Sequence, residues 1–96
     1  MNPGRQRLDK WLWFARFAKT RSLAARLVTD GHVRINGKRA EAASKGIAVG
    51  DVLTVAAAHG TALIRVRGLG ERRGPAPEAR LLYEEVDRQS EEPTAS

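Results

Sequence analysis

The sequence predicts a small α+β domain, with two N-terminal helices followed by a small antiparallel sheet and a short C-terminal helix. Three observations carry this. Apolar residues recur at helical spacing from Arg7 to Val28, the period falls to 2 from His32 onward, and the switch occurs at Asp30-Gly31. Helices first and strands second argue for α+β, whereas an α/β chain would alternate them. Ninety-six residues suffice for one domain with one modest core.

The first helix is expected over Arg7 to Ala18. Leu8, Trp11, Leu12, Ala15 and Ala18 fall within one arc of about 120°, a core stripe. Asp9 in the first turn suits the positive end of the helix dipole. A tight link at Lys19-Thr20-Arg21 leads into the second helix, with Thr20 or Ser22 as N-cap and Leu23, Ala24, Leu27 and Val28 as its apolar face. Gly31 closes it, supplying the left-handed residue that other types adopt only at a cost. His32-Val33-Arg34-Ile35 then alternates into Asn36-Gly37, a strong two-residue hairpin signal, and Lys38-Arg39-Ala40 begins the return strand. Residues 41–50 read as a loop. Val52–Ala56 and Leu63–Arg67 read as strands joined across His59-Gly60, with Arg65 and Arg67 on a wet, basic face. Beyond Gly74-Pro75-Ala76-Pro77, residues 78–86 read as a short helix with Leu81, Leu82 and Tyr83 apolar.

Charge divides the chain. It carries 17 Lys and Arg against 11 Asp and Glu, net +6. Residues 1–73 hold 15 against 5, hence +10, and residues 74–96 hold 2 against 6, hence −4. The expected organisation is a flexible leader (1–6), a basic binding domain (7–73), a C-terminal helical extension (74–88) and a disordered acidic tail (89–96). The absence of cysteine rules out disulfides and thiolate metal sites and is compatible with a reducing cytoplasm, the expected location. No apolar run approaches the roughly 18–20 residues of a membrane span. Lys10, Arg16 and Lys19 interrupt the N-terminal apolar stretch, which therefore does not read as a signal peptide.

Catalytic patterns are weak. His32 and His59 lack a third metal ligand nearby, and there is no G-x-S-x-G elbow. Gly31 to Lys38 (GHVRINGK) has five residues between its glycines where a phosphate loop has four, and Arg39 stands where Ser or Thr would bind magnesium. Gly68-Leu69-Gly70 is an incomplete dinucleotide fingerprint. The chain is therefore expected to be no enzyme and to carry no cofactor or metal.

Binding patterns are strong. Arg5, Arg7, Lys10, Arg16, Lys19, Arg21 and Arg26 place seven cations in the first 26 residues, offset only by Asp9. Such a cluster repels itself unless it meets a polyanion, and meeting phosphates releases condensed counterions. Nucleic acid comes first and an anionic membrane second. The cations stand at a helix–turn–helix link, and no apolar docking face is fully free, so structured RNA is expected and a membrane is not. Phosphate contacts alone do not separate RNA from DNA. Trp13 and Phe17 either stack on bases or pack beneath residues 78–86, and packing is favoured. An alternative is a targeting or regulatory module that binds a protein partner through this aromatic face and the C-terminal segment. The free chain is expected to be a monomer.

The ordered set Arg7-Leu8-Asp9-Lys10-x-Leu12, Lys19-Thr20-Arg21-Ser22-x-Ala24, Gly31-x-Val33-x-Ile35-Asn36-Gly37 and Gly50-Asp51-x-Leu53 resembles the RNA-binding domain of ribosomal small-subunit protein four, the S-four domain. It spans about residues 7–55. The wider runs RLDKWLWFARFAKTRSLA and ERRGPAPEARLLYEE extend the likeness to residue 86, toward the stand-alone fifteen-kilodalton heat-shock protein family. The resemblance implies an αL RNA-binding motif, in which the two helices and the hairpin clasp structured RNA by its phosphates. It implies contacts from Arg7, Lys10, Lys19, Thr20, Arg21 and Arg26, joined by Arg34, Lys38 and Arg39 of the hairpin. Arg16 joins this set on charge and position alone. The heat-shock family further implies ribosomal RNA of the large subunit and the handling of stalled subunits under stress. Many of its members carry a basic C-terminal tail, whereas residues 89–96 here are acidic.

Overall fold

The computed structural model describes residues 4–57 and 60–86. A two-residue strand β1 (Gln6–Arg7) runs directly into helix α1 (Leu8–Phe14), and α2 (Arg21–Thr29) packs against α1. Strands β2 (Val33–Ile35) and β3 (Lys38–Arg39) form the hairpin, and β4 (Gly46–Ile47) returns to pair with β1. Strands β5 (Val52–Ala57) and β6 (Gly60–Val66) follow, then α3 (Ala76–Ala79), a 3-10 turn (Arg80–Leu82) and β7 (Tyr83–Glu85). The main sheet is antiparallel in the order β3-β2-β5-β6-β7. This is the expected α+β architecture.

One core joins the layers. The stripe of α1 (Leu8, Trp11, Leu12, Ala15) meets Ala24 and Val28 of α2 and the inward residues Val33, Leu53, Val55, Ile64 and Val66 of the sheet. Register matches the pattern: Val33 lies opposite Val55 and Ile35 opposite Leu53, while Leu53 lies opposite Ile64. The Trp11 indole donates to the Gly68 carbonyl at 2.8 Å, which satisfies its one polar atom in the interior.

Both helices end in the same way. In α2 the Gly31 N–H donates to Val28 and the His32 N–H to Leu27, with Gly31 at φ +86°. In α1 the Arg16 N–H donates to Trp13 and the Phe17 N–H to Leu12. Each is a Schellman arrangement, whose left-handed residue is usually glycine. Here Arg16 occupies it at φ +68°. The first helix therefore stops at Phe14, one turn short of the Ala18 that its spacing predicts. Phe17 reaches the core by folding back, stacked on Trp11 at 6.1 Å and tilted against Tyr83 at 5.0 Å.

Three further expectations are corrected. Gln6, placed in a loose leader, is paired in β1 and bonded twice to the Gly70 backbone, donating at 2.8 Å and accepting at 3.0 Å. The loop at 41–50 contains β4. The helix expected over 78–86 is confined to Ala76–Leu82, and Tyr83–Glu85 is a strand. Tyr83 pairs with Val66 and Glu84 with Arg65, so the open edge of β6 captures the segment. The expected disordered tail, the leader's first three residues and His59 lie outside the described residues.

Candidate nucleic-acid interface

The basic motif is organised around a buried anion. Asp9, in the first turn of α1, keeps only 5% of its side-chain surface exposed. Arg7 forks onto it, Nε to Oδ1 at 3.1 Å and Nη2 to Oδ2 at 3.0 Å. The Arg21 Nε stands 3.8 Å from Oδ2, and the Lys10 backbone N–H donates to Oδ1 at 2.7 Å. Burial pushes the Asp9 carboxyl upward, but the bond and charge of Arg7, the Lys10 N–H and Arg21 outweigh it and hold it below its ordinary value. The same contact raises Arg7. One carboxylate thus holds two arginines side by side with a surplus positive charge. About half of each remains exposed, 51% for Arg7 and 45% for Arg21.

The N-terminus of α2 joins this cluster. The Thr20 hydroxyl oxygen accepts the Leu23 N–H at 3.1 Å, which makes Thr20 the N-cap. The first backbone bond within the helix is from Ala24 to the Thr20 carbonyl, so the N–H groups of Arg21 and Ser22 point out of the helix end. Such an end favours an anion. Lys19 is exposed just before it, and Lys10 sits at the other side with its ammonium 5.7 Å from the Phe14 ring centre. Arg26 is exposed further along α2.

The hairpin supplies a second group. Asn36 (φ +52°) and Gly37 (φ +86°) form the left-handed two-residue turn that the sequence predicts. Arg34 and Arg39 are then direct cross-strand partners, with Lys38 opposite Ile35. Like charges directly opposite each other destabilise a sheet pair. The arrangement is explicable where an anion lies across it. The Arg39 guanidinium packs on Gly31, where a Cβ would stand 3.0 Å from Nη2, tying the hairpin to the end of α2.

Residues 43–45 connect the two groups. The Leu8 N–H donates to the Lys45 carbonyl at 2.9 Å and the Asp9 N–H to the Ala43 carbonyl at 3.0 Å. Lys45 therefore stands beside the start of α1 and also lines the hairpin cleft with Lys38 and Arg39. Neither Lys45 nor the bridging role of Asp9 is visible in the sequence, since both depend on contacts between distant segments.

Other expected features have different places. Arg16 donates from Nε to the Gly74 carbonyl at 2.7 Å, so it fastens the C-terminal segment to the end of α1. Arg65 and Arg67 form a less basic face than their spacing predicts, because Glu84 pairs with both at 2.8 and 2.7 Å. Those bonds, Arg65 first, hold the Glu84 carboxyl below its ordinary value. Arg72 is likewise paired with Glu78. Gly68 and Gly70 serve packing: Gly68 accepts the Trp11 indole and Gly70 lies against Phe14. Phe17 packs against Tyr83 and Trp13 stacks on Phe14 at 5.4 Å. Among the described residues no group of three His, Asp or Glu could hold a metal ion, and no helix is long and apolar enough to cross a membrane.

Comparison with known proteins places this geometry. The family model of the S4 domain matches residues 6–53, the stretch that builds β1, both helices, the hairpin and β4. Heat shock protein 15 of Escherichia coli (strain K12) is 45% identical over 80 residues, covering 83% of this chain and 59% of that protein. Its homologue in Haemophilus influenzae is 44% identical over 81 residues, covering 84% and 61%. The chain thus spans about three-fifths of the length of these relatives. Small ribosomal subunit protein uS4 of Fusobacterium nucleatum is 40% identical over 50 residues, 52% of this chain and 26% of that one. A solved structure, described as trimeric Heat Shock Protein 15 of Vibrio cholerae, superposes with a TM-score of 0.83 at 42% identity, covering 91% of this chain and 87% of the other. With its cations gathered on the two helices and hairpin that this match covers, the chain belongs to the Heat shock protein 15 family of S4-domain RNA-binding proteins.

Proposed function

We propose that this chain is a non-catalytic, cytoplasmic protein that binds ribosomal RNA of the large subunit and takes part in handling stalled ribosomes under stress. The observation that carries its RNA-binding mode is the pair Arg7 and Arg21 held on the buried Asp9 beside the free N–H groups of α2. A phosphate at that helix end meets two preset guanidiniums, with Lys10 and Lys19 at its flanks. Thr20 contributes by capping the helix, and Arg26 extends the exposed basic surface. Arg34, Lys38 and Arg39 contact a neighbouring stretch of backbone. Arg16 serves this surface indirectly, by fixing the end of α1. The large-subunit and stalled-ribosome reading rests on the likeness to the heat-shock family.

Binding to large-subunit and small-subunit rRNA fragments across a salt series tests this. Affinity should fall with salt at a log–log slope of about −0.7 to −0.9 per neutralised phosphate. Large-subunit fragments should bind more tightly. Arg21→Ala should weaken binding several-fold; a flat salt dependence would remove the phosphate account. The free chain is read as a monomer, and sedimentation decides this against the trimer described for the Vibrio cholerae relative.

A further inference from the structure

The cleft between the hairpin and residues 40–45 has a volume of about 410 Å³, within the roughly 300–1,000 Å³ of small-molecule pockets. Its lining is two-faced. Half-buried Ile35 and buried Ala40 are apolar, while Lys38, Arg39 and Lys45 are cationic. Glu41 also lines it, within 4.0 Å of none of those three cations. Asn36 frames the rim but is committed, its amide donating to Asp51 at 3.2 Å and its carbonyl oxygen accepting the Val52 N–H at 2.9 Å.

We propose that this cleft receives one unpaired nucleotide of the bound RNA, and that Glu41 makes it favour amino-bearing bases over uracil. The inference rests on the RNA-binding reading above. A base requires an apolar bed, which Ile35 and Ala40 provide, and its phosphate requires cations, which Lys38 and Lys45 provide. The backbone of Lys45 is held there, because its carbonyl accepts the Leu8 N–H at the start of α1. The carboxylate of Glu41 only accepts hydrogen bonds. Cytosine N4 and adenine N6 offer it an amino donor, whereas uracil offers only its N3–H, flanked on both sides by carbonyl acceptors that the carboxylate repels. Ala43 and Lys45 also bond the Asp9 and Leu8 N–H groups, which joins the segment lining the cleft to the helix start that carries the Arg7–Asp9–Arg21 cluster.

The test is the binding of ribo-pentanucleotides A5, C5 and U5 to the full chain, beside one structured rRNA fragment. The wild-type chain should bind A5 and C5 about fivefold to tenfold more tightly than U5. Glu41→Gln, which supplies both a donor and an acceptor, should bring that ratio within about twofold. It should still bind the structured fragment at least as tightly as the wild-type chain, since the change removes a negative charge, which also shows that the variant is folded. Lys45→Ala should weaken all three pentanucleotides several-fold. A wild-type ratio near one, a ratio that survives Glu41→Gln, or pentanucleotides left unbound while the structured fragment binds would each overturn the pocket. Failure to hold the structured fragment would instead overturn the RNA-binding reading itself.

Discussion

The two halves of this molecule each set two arginines on one carboxylate, exposed on one side and buried on the other. On the C-terminal side each ion-paired arginine finds its own or a shared surface carboxylate: Arg65 and Arg67 close on Glu84, and Arg72 closes on Glu78. On the N-terminal side two arginines share one buried carboxylate, and Arg34 faces Arg39 across the hairpin. Exposed pairs of the first kind contribute little to stability, with a median near 0–1 kcal/mol. In the proposed function, the second arrangement is preset for an external anion. Local charge density alone does not mark a binding face; each trio keeps one surplus positive charge, and the N-terminal one is set apart by its buried carboxylate and the open end of α2 beside it.

Removing Asp9 breaks this contrast most severely. Asp9→Ala leaves Arg7 and Arg21 facing each other with no counter-charge and should cost about 2–3 kcal/mol in urea unfolding, less than a fully buried pair because both arginines are half exposed. RNA affinity should fall with it, since the two guanidiniums lose their common anchor. The same carboxylate gives a pH dependence. Its folded pKa lies below the unfolded one, so its contribution is present above the unfolded value near 3.8 and is lost as pH falls through the folded value. Acid titration of stability should therefore show a decline on that side that Asp9→Asn flattens.

Swapping sides sharpens the comparison. Arg7→Ala or Lys38→Ala should each weaken rRNA binding several-fold and reduce the salt slope by about one phosphate. Arg65→Ala and Arg67→Ala should change affinity less than about twofold, because they stand toward the far end of the sheet from the hairpin, outside the proposed surface. Equal losses on both sides, read by fluorescence titration, would show that total charge governs binding. The smallest expected effect is at Arg16. Arg16→Gly relieves a left-handed residue by roughly 1 kcal/mol but loses the bond to Gly74, so stability in thermal unfolding should change by less than about 1 kcal/mol. RNA affinity should hold within about twofold.

Much of this fold is legible locally. Asn36-Gly37 and Gly31 declare their backbone conformations, Thr20 declares its cap, and Leu8, Trp11 and Leu12 declare their face. The basic surface is legible as well, because its residues crowd into the first 39 positions. What stays hidden depends on distant partners. Helical spacing continues to Ala18, yet α1 stops at Phe14, where the chain turns at Arg16 and lays Phe17 on Trp11 and Tyr83. Leu81-Leu82-Tyr83 has no period that distinguishes helix from strand, and the edge of β6 decides. Asp9 reads as a dipole-suited surface acid and is in fact a buried counter-ion, because Arg7 and Arg21 close over it. Lys45 enters the site only through the bond its carbonyl makes with Leu8.

The anchors along and either side of the first helix also set an order of assembly. Gln6 is bonded to Gly70, Trp11 to Gly68 and Arg16 to Gly74, contacts that close chain loops of 64, 57 and 58 residues. Non-local closures of this length tend to form late in folding. On a growing polypeptide emerging from N- to C-terminus, the matched S4 stretch ending at residue 53 is complete well before those partners exist. Its first helix acquires these three fastenings only once Gly74 has been synthesised and has left the exit path.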